Sequence, residues 1–340
     1  MSAQNTFPSE LPLVKQIIRH LPGVALVAAL AAGAMWLKQA VDLPLLGPMV
    51  IAMILGVAVR NIVGPMAWAE DGICLSQRPL MRLGIVLLGL QLSIGQIWQA
   101  GAPVFLGIAV LLFATFWSTQ VIGRWLGVAP DLARLIGAGT AVCGASAIMA
   151  VQGARPGSNS DLAYAIACVT LFGTLSMLGL PLMAMAFGLD GQAYGLWAGA
   201  AIHEVGQVVG ATDSYSAEAQ QWGMMAKLSR VLLLAPLIVL LTGFGRGPVD
   251  ASAKKPSPLP LFVVGFAAMM VLNSTVALPV AALEAGSLIS GFFLTMALAA
   301  MGLGTDIAAL RREGLRPLAL GAFATVFVTL GALALVVLTQ

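Results

Sequence analysis

Charged side chains are scarce in this sequence. Aspartate, glutamate, lysine and arginine make up 9% of the 340 residues, whereas an ordinary soluble domain contains roughly 25%. The net charge of +3 is small and no long basic run is present, which excludes a nucleic-acid partner. Hydrophobic residues form 59% of the chain and recur in stretches long enough to cross a bilayer as helices. The composition therefore predicts an integral membrane protein in contact with lipid.

Cysteine and histidine are also rare. The three cysteines lack metal-type spacing and predict free thiols rather than a disulfide framework: Cys74, Cys143 and Cys168. Only His203 lies in an apolar segment, and Gln207 stands where a zinc-peptidase helix of the His-Glu-x-x-His type would carry its second histidine. An intramembrane metalloenzyme is therefore a minor alternative. We expect no enzymatic activity, no resident metal and no cofactor.

The apolar stretches predict an all-α polytopic fold of about eleven transmembrane helices. The predicted spans are residues 21–37, 44–60, 79–96, 101–122, 132–151, 161–187, 194–211, 224–243, 259–278, 284–305 and 316–338. If the N-terminal segment, residues 1–20, is cytoplasmic, all but four of the 17 lysines and arginines lie on the cytoplasmic side. The four are Lys38, Arg155, Lys227 and Arg230. This places the C-terminus outside and makes residues 21–340 a single transmembrane domain.

Internal similarities predict inverted-topology repeats. The segment at about 43–101, with PLLGPMVIAMILGVAVRN and LGIVLLGLQLSIGQIWQAG, resembles the segment at about 259–314, with PLFVVGFAAMMVLNSTVA and MALAAMGLGTDIAALRREG. The two copies are seven predicted helices apart and so have opposite orientations, which predicts a substrate site near the midplane between them. A chance match between small and aliphatic residues is the alternative.

A second similarity joins LIGAGTAVCGASAIMAVQ, from Leu135, to LWAGAAIHEVGQVVGAT, from Leu196. Each segment is followed by a further predicted helix, and together they make up two core regions at about 132–187 and 194–243. Helices this rich in glycine and alanine can break inside the membrane, and the N-terminus of a half-helix attracts anions. These two segments are where the sequence predicts the binding site.

The second segment carries His203, Glu204 and Gln207 in an otherwise apolar run. Ionisable groups at bilayer depth are costly, and they generally face a protein interior or an aqueous path. On a helix, His203 and Glu204 point about 100° apart, so the pair would serve two surfaces. Histidine ionises near neutral pH, and a partly buried glutamate can do so as well. Either residue could carry a proton, or Glu204 could simply pair with Lys227 or Arg230.

Further candidates for binding a substrate or ion are polar residues in or beside apolar segments. Thr140, Cys143 and Ser146 form a polar stripe that could donate to an oxyanion, or could serve only helix packing. Lys227 and Arg230 are the best candidate cationic contacts for an anion. Structural roles compete for the remaining residues: a first-turn acid for Asp161, and capping for Asn273.

Several motifs in order resemble the YeiH-type family of bacterial inner-membrane proteins, which are usually called sulfate exporters. The matching stretches are LGIVLLG, GTAVCGASAI, AIHEVGQVV, KLSRVLLLAP and AMGLGTD, and the likeness runs from about residue 20 to the C-terminus. The resemblance implies an inverted-repeat fold with discontinuous crossing helices and an elevator-like arrangement, similar to bile-acid/sodium symporters and cation/proton antiporters. It also implies an inner-membrane location.

The sequence and the resemblance together predict a secondary active transporter that exports a small anion, such as sulfate or an organosulfonate. The chain contains no phosphate-binding loop signature, so we expect coupling to an ion gradient rather than to nucleotide hydrolysis. The coupling ion would be a proton handled by His203 or Glu204, or Na⁺ bound near Asp161 or Glu204. A passive anion channel is the main alternative, and a homodimer is left open.

Overall fold

The computed structural model is built from α-helices throughout the residues that it describes, which are 12–41, 46–92, 94–243, 261–305 and 314–339. The first helices are α1 (Pro12–Ala40), α2 (Pro48–Val63), α3 (Glu70–Leu75), α4 (Met81–Leu88) and α5 (Ile94–Trp125). A π-helical turn, Ser76–Leu80, joins α3 to α4. The central helices are α6 (Pro130–Ala141), α7 (Ala145–Ala154), α8 (Asn159–Phe187), α9 (Gly191–Ala201) and α10 (Val205–Asp213). The last are α11 (Ala217–Leu232), α12 (Leu234–Gly243), α13 (Leu261–Thr275), α14 (Val280–Leu303) and α15 (Leu315–Thr339).

Seven of the described helical stretches are long and apolar enough to cross a membrane. They are Arg19–Ala40, Glu70–Gln91, Gly101–Trp125, Asn159–Phe187, Ala217–Gly243, Val280–Leu303 and Leu315–Thr339. Pro48–Val63 and Leu261–Thr275 are apolar but shorter. The prediction of a polytopic α-helical membrane protein is therefore confirmed, whereas the count of eleven spans is not supported.

Two of the predicted spans, 132–151 and 194–211, are helical hairpins. In hairpin A, formed by α6 and α7, a Cβ placed on Gly157 would lie 3.7 Å from the Cβ of Asp131, so the two ends of the hairpin are neighbours. In hairpin B, formed by α9 and α10, the Tyr215 hydroxyl donates to the Leu189 carbonyl at 2.5 Å. The predicted break in each segment is confirmed. The prediction that these discontinuous helices cross is wrong, because each segment turns back on itself.

The hairpins point at each other from opposite ends of α8. Hairpin A ends just before the first residue of α8, and hairpin B begins just after the last. At about 1.5 Å per residue, the 29 residues of α8 span about 43 Å. The tips meet beside its middle, where Gln207 of hairpin B donates to the carbonyl of Thr170 at 3.1 Å. The two tips therefore lie beside the middle of a helix that is long and apolar enough to cross a membrane.

The remaining helices form a scaffold beside this bundle. Helix α14 packs along α2 and α4, α13 packs against α4, and α1 covers α2, α3 and α14. Small residues let α2 and α14 approach closely, since a Cβ on Gly56 would lie 2.3 Å from the Ala299 carbonyl oxygen. The pairing of α2 with α14 and of α4 with α13 is the reciprocal arrangement expected of the predicted repeats. The repeats themselves stay a prediction, as does the single-domain assignment.

Some predictions lie outside the described residues. The first eleven residues of the predicted cytoplasmic segment belong to this group, as do the basic residues Arg246, Lys254, Lys255, Arg311 and Arg312 that contributed to the charge asymmetry.

Candidate functional site

The two hairpin tips are short non-helical turns that expose backbone groups of both polarities. Tip A is residues 142–144 and tip B is residues 202–204. Gly144 has φ +70°, a conformation that side chains with a Cβ rarely adopt, so the turn of tip A depends on glycine. At each tip, the first helix ends with free carbonyl groups and the second begins with free N–H groups. The tips therefore need cations on one side and an anion on the other.

Lys227 of α11 supplies one of the cations. Its side chain is fully buried, and its Nζ donates to the carbonyls of Val142 at 2.9 Å and Ile202 at 2.7 Å. It also donates to the carbonyl of His203. The three donors of the ammonium group are thus used by carbonyls from both tips. Lys227 joins the two hairpins where their first arms end.

Arg230, one turn further along α11, supplies the second cation. It is 2% exposed and donates to five carbonyls, two on hairpin A and three on hairpin B. They belong to Thr140, Ala141, Gly199, Ala200 and Ile202. Helix C-termini carry partial negative charge, so both cations sit where the helix dipoles favour them.

This geometry argues against the prediction that Lys227 and Arg230 are the main contacts for a substrate anion. Their donors are taken by the backbone, and neither residue lines the cavity described below. Within the part of the chain that the structure describes, no ion pair joins either one to Glu204. They hold the two tips together.

Glu204 supplies the negative charge at the opposite side of the tips. One carboxylate oxygen, Oε1, accepts from the Ala145 N–H at 3.4 Å and from the Thr170 hydroxyl at 3.3 Å. The side chain also accepts from the backbone N–H of Gln207, and the Gln207 side chain accepts from the Glu204 N–H at 3.2 Å. This reciprocal capping box places the carboxylate at the N-termini of both α7 and α10.

Gln207 and Gly173 fix hairpin B against α8. Besides its bond to the Thr170 carbonyl, the Gln207 amide donates to the Thr174 hydroxyl at 3.3 Å. A Cβ on Gly173 would lie only 2.1 Å from Gln207 Oε1, so the amide requires glycine there. Gln207 is fully buried, and its polar atoms are occupied in positioning Glu204.

His203 faces a different surface from Glu204, although both residues lie in the non-helical tip B and not on the helix for which the sequence predicted this divergence. Its Nε2 lies 3.2 Å from the Thr325 hydroxyl of α15, and the ring is fully buried. The other ring nitrogen, Nδ1, has no hydrogen-bond partner among the residues that are described. His203 does not line the cavity, so the adjacent residues serve two different surfaces.

A cavity of about 490 Å³ ends at the tips, on the side of Glu204. Its polar lining comes from the π-turn and α4, tip A, α7, α8, tip B and the segment after α14: Gln77, Arg78, Arg82, Cys143, Ser146, Thr170, Glu204 and Thr305. Its walls are mainly apolar, with large side chains that include Ile85, Met149, Ile166, Phe262 and Met301. A mostly apolar cavity with a few convergent polar groups is typical of a small-molecule site.

Sequence reasoning missed the cationic lining of this cavity. Arg78 and Arg82 are solvent-exposed, and Arg82 lies over the ring of Phe262 at 6.0 Å from its centroid. They were assigned only to the charge asymmetry of the loops. Their four-residue spacing in a helical segment, which directs both to one face, was the signal that could have identified them.

Some of the other predicted site residues line the cavity and some do not. Cys143 and Ser146 line the cavity with Glu204, whereas Thr140, Asp161 and Asn273 do not. The Thr140 hydroxyl is buried and without a partner among the described residues, and its carbonyl binds Arg230. Asp161 lies in the first turn of α8, and Asn273 donates to the Leu92 carbonyl at 3.1 Å. The position of Asp161 fits the interpretation as a first-turn acid, whereas the Asn273 bond joins α13 to a distant segment and does not cap its own helix.

The fold and the cavity together define a multi-pass α-helical membrane protein with a buried, charged centre between two helical hairpins. Residues 22–321 match the family model described as Conserved hypothetical protein 698. The chain is 36% identical over 331 residues to a UPF0324 membrane protein of Pseudomonas aeruginosa, and the match covers 93% of each chain. It is 37% identical over 295 residues to a UPF0324 membrane protein of Corynebacterium glutamicum, covering 86% of each.

A further relative is the UPF0324 inner membrane protein YeiH of Salmonella typhi, which is 32% identical over 324 residues, or 92% of this chain and 93% of the relative. The chain therefore belongs to the UPF0324 family of membrane proteins, and the predicted YeiH-type family is confirmed. Membership establishes a multi-pass membrane protein and leaves its substrate open.

Proposed function

We propose that this protein is a secondary transporter for a small organic anion, and that the 490 Å³ cavity is its binding site. The observation that carries the proposal is the combination of two arginines, the first turn of α7 and the Glu204 carboxylate in one cavity that ends at the two tips. Cations and helix N-termini attract anions, and an intramembrane carboxylate can carry the coupling ion.

The cavity walls favour an organic anion over bare sulfate. Ile85, Ile166 and Phe262 can cover an apolar body, while Arg78 and Ser146 bind a charged head. A sulfate ion has acceptor oxygens on every side, and apolar walls leave some of them without donors. Among the anions that the sequence left open, a sulfonate or carboxylate with an aliphatic tail fits best.

The cavity opens, in this proposal, toward the cytoplasm. Arg78 and Arg82 lie at its mouth, and the positive-inside rule assigns them to the cytoplasmic side. The N-terminus is then cytoplasmic and the C-terminus periplasmic. In this proposal the two tips close the cavity toward the outside, and the state is inward-facing.

A carrier explains the closed tips better than a passive channel does. Lys227, His203 and Gln207 are fully buried where the hairpins meet, and a channel would need a continuous polar path at that point. The described residues also contain no group of three His, Cys, Asp or Glu side chains that could hold a metal, so they give the metalloenzyme alternative no support.

A smooth surface between hairpin B and the scaffold would permit alternating access. A Cβ on Gly206 would lie 3.3 Å from the Met81 sulfur and 3.7 Å from the Met301 sulfur, and a Cβ on Gly210 would meet Leu298. Glycine against flexible thioethers gives few interlocking contacts, so one surface can slide past the other. The hairpin bundle would move as a unit against α2, α4 and α14.

Binding and transport of butanesulfonate, compared with sulfate, tests the proposal. A specific ligand stabilises the folded state, so butanesulfonate should raise the melting temperature of the purified protein more than sulfate does. Uptake into proteoliposomes should saturate and should be accelerated by unlabelled butanesulfonate on the opposite side. Non-saturable flux without this counterflow would indicate a channel instead.

The variant Arg78→Ala should raise the half-saturating butanesulfonate concentration about tenfold, since it removes one charge-assisted contact. Arg124→Ala is the matched control, because Arg124 is exposed on the same predicted side and does not line the cavity. Equal effects of the two substitutions would mean that Arg78 contributes only to the general surface charge and that the cavity is not the binding site.

A further inference from the structure

The Glu204 carboxylate occupies the polar end of the cavity. Its Oε1 is held by the Ala145 N–H and the Thr170 hydroxyl, at 3.4 and 3.3 Å. Both bonds are longer than the usual 2.7–3.2 Å range. Glu204 is 7% exposed and contacts the cavity directly. The side chain is therefore enclosed by protein, capped by Gln207, held only by long bonds to α7 and α8, and accessible from the cavity.

The donors that hold Glu204 are those that an entering anion would need. Lys227 and Arg230 are occupied by backbone carbonyls, so the first turn of α7, the Thr170 hydroxyl and Arg78 remain as donors near the tips. A carboxylate or sulfonate that reached Ala145 and Thr170 would lie within a few ångströms of an ionised Glu204. Two like charges this close in a poorly solvated site repel each other strongly.

We propose that the transported anion and the Glu204 carboxylate compete for the Ala145 N–H and the Thr170 hydroxyl, so the anion binds only when Glu204 carries a proton. The proton comes from the solution in the cavity and forms an O–H bond on the carboxylate. A monoanion then replaces the charge that Glu204 has lost. This inference rests on the proposed function and specifies its coupling: one anion and one proton cross together, in the same direction.

The charged and titratable groups around Glu204 favour this linkage. Arg78 of the π-turn and Lys227 of α11 act on the carboxylate electrostatically, and the Cys143 thiol of tip A lines the same cavity. Helix α8 contributes the neutral Thr170, and the His203 ring points away toward α15. The two cations favour the ionised carboxylate when the cavity is empty. An arriving anion offsets them and promotes proton binding, and the coupling is reciprocal.

The coupling of one anion to one proton also constrains the direction of transport. Anion and proton moving together without net charge follow the sum of their two gradients. Export, which the resemblance predicted, then requires an outward anion gradient larger than the inward proton gradient.

Butanesulfonate binding as a function of pH tests the inference, because a sulfonate stays ionised throughout and any pH effect belongs to the protein. Binding by the full chain in detergent is measured at about pH 5 and about pH 8. The affinity at about pH 8 should be at least ~10-fold weaker than the affinity at about pH 5. Glu204→Gln keeps the size and the capping amide geometry but carries no charge. It should bind at both pH values with affinities that differ less than ~2-fold, at a level near that of the wild type at low pH.

Each outcome decides one question. Binding by the wild type that is equal at both pH values would leave the anion site standing and overturn the competition. A pH dependence that persists in Glu204→Gln would also overturn it. No binding of butanesulfonate by either protein at either pH would count against the proposed function itself.

A measurement on the wild type covers the case in which Glu204→Gln fails to fold. Butanesulfonate is added at about pH 7 to the protein in a weakly buffered solution that contains a pH indicator. The competition predicts that up to one proton is taken up per anion bound. Binding with no proton uptake, or with proton release, at all pH values tested would contradict it.

Discussion

Lys227 and Glu204 lie on opposite sides of the same pair of hairpin tips, and their surroundings differ in one decisive respect. Lys227 is fully buried with three short bonds to backbone carbonyls, and Arg230 beside it makes five more. Glu204 makes two long bonds through Oε1 and a capping bond to the Gln207 N–H, and it borders a cavity. The two cations are bound by backbone carbonyls away from the cavity, whereas the anion is in contact with it.

The difference separates structural charges from a charge that can change its partners. A buried ion with complete, short hydrogen bonds cannot be displaced without leaving several buried carbonyls unpaired. A carboxylate with long bonds beside a cavity can release its partners to a ligand at much smaller cost. Similar helix-end chemistry thus gives a rigid junction on one side of the tips and an exchangeable site on the other.

Removing the ammonium group should have the largest effect. Lys227→Met keeps the apolar stem but leaves carbonyls of both tips unpaired, and a loss of about 3–5 kcal/mol is expected. The melting temperature in detergent should fall by on the order of 10 °C. Arg230→Lys retains the charge but loses the five N–H donors of the guanidinium group. Its melting temperature should lie between those of Lys227→Met and the wild type. If Lys227→Met has the same melting temperature as the wild type, Lys227 does not hold the two tips together.

Gly144→Ala should have the next largest effect, because Gly144 of tip A lies against the Glu204 side chain of tip B. The φ of +70° costs alanine about 1–2 kcal/mol, and the new Cβ would lie 2.3 Å from Glu204 Cγ. Butanesulfonate binding should be lost. Gly153→Ala is the control, since it lies in α7 with nothing within 4 Å of the added methyl group and should bind normally. Normal binding by Gly144→Ala would show that the contact between tip A and Glu204 is not needed.

His203→Gln should have the smallest effect and sharpens the division between the two surfaces. The amide can replace the ring Nε2 in its contact with Thr325, so the expected cost is about 1 kcal/mol or less. The pH dependence of butanesulfonate binding should be unchanged, because the ring does not line the cavity. If His203→Gln abolishes that dependence while Glu204→Gln retains it, the proton carrier is His203.

Much of the candidate site could be found from the sequence, because polar residues in apolar segments are visible without a fold. Cys143, Ser146 and Glu204 were selected in this way, and all three line the cavity. The roles of Lys227 and Arg230 could not be found, because their partners are backbone carbonyls more than twenty residues away. Arg78 was missed because a charge near the end of a predicted span is most often a topology signal.

Composition and motif order alone indicate a polytopic helical membrane protein that resembles the YeiH-type family, and they predict that the two glycine-rich segments can break. Apolar length and small-residue composition are local properties, so they can be read without contacts. The tertiary structure shows that the broken segments turn back as hairpins, because a break alone does not specify the direction of the next helix. It also decided which charges are enclosed and which one borders the cavity, since that depends on contacts between distant helices.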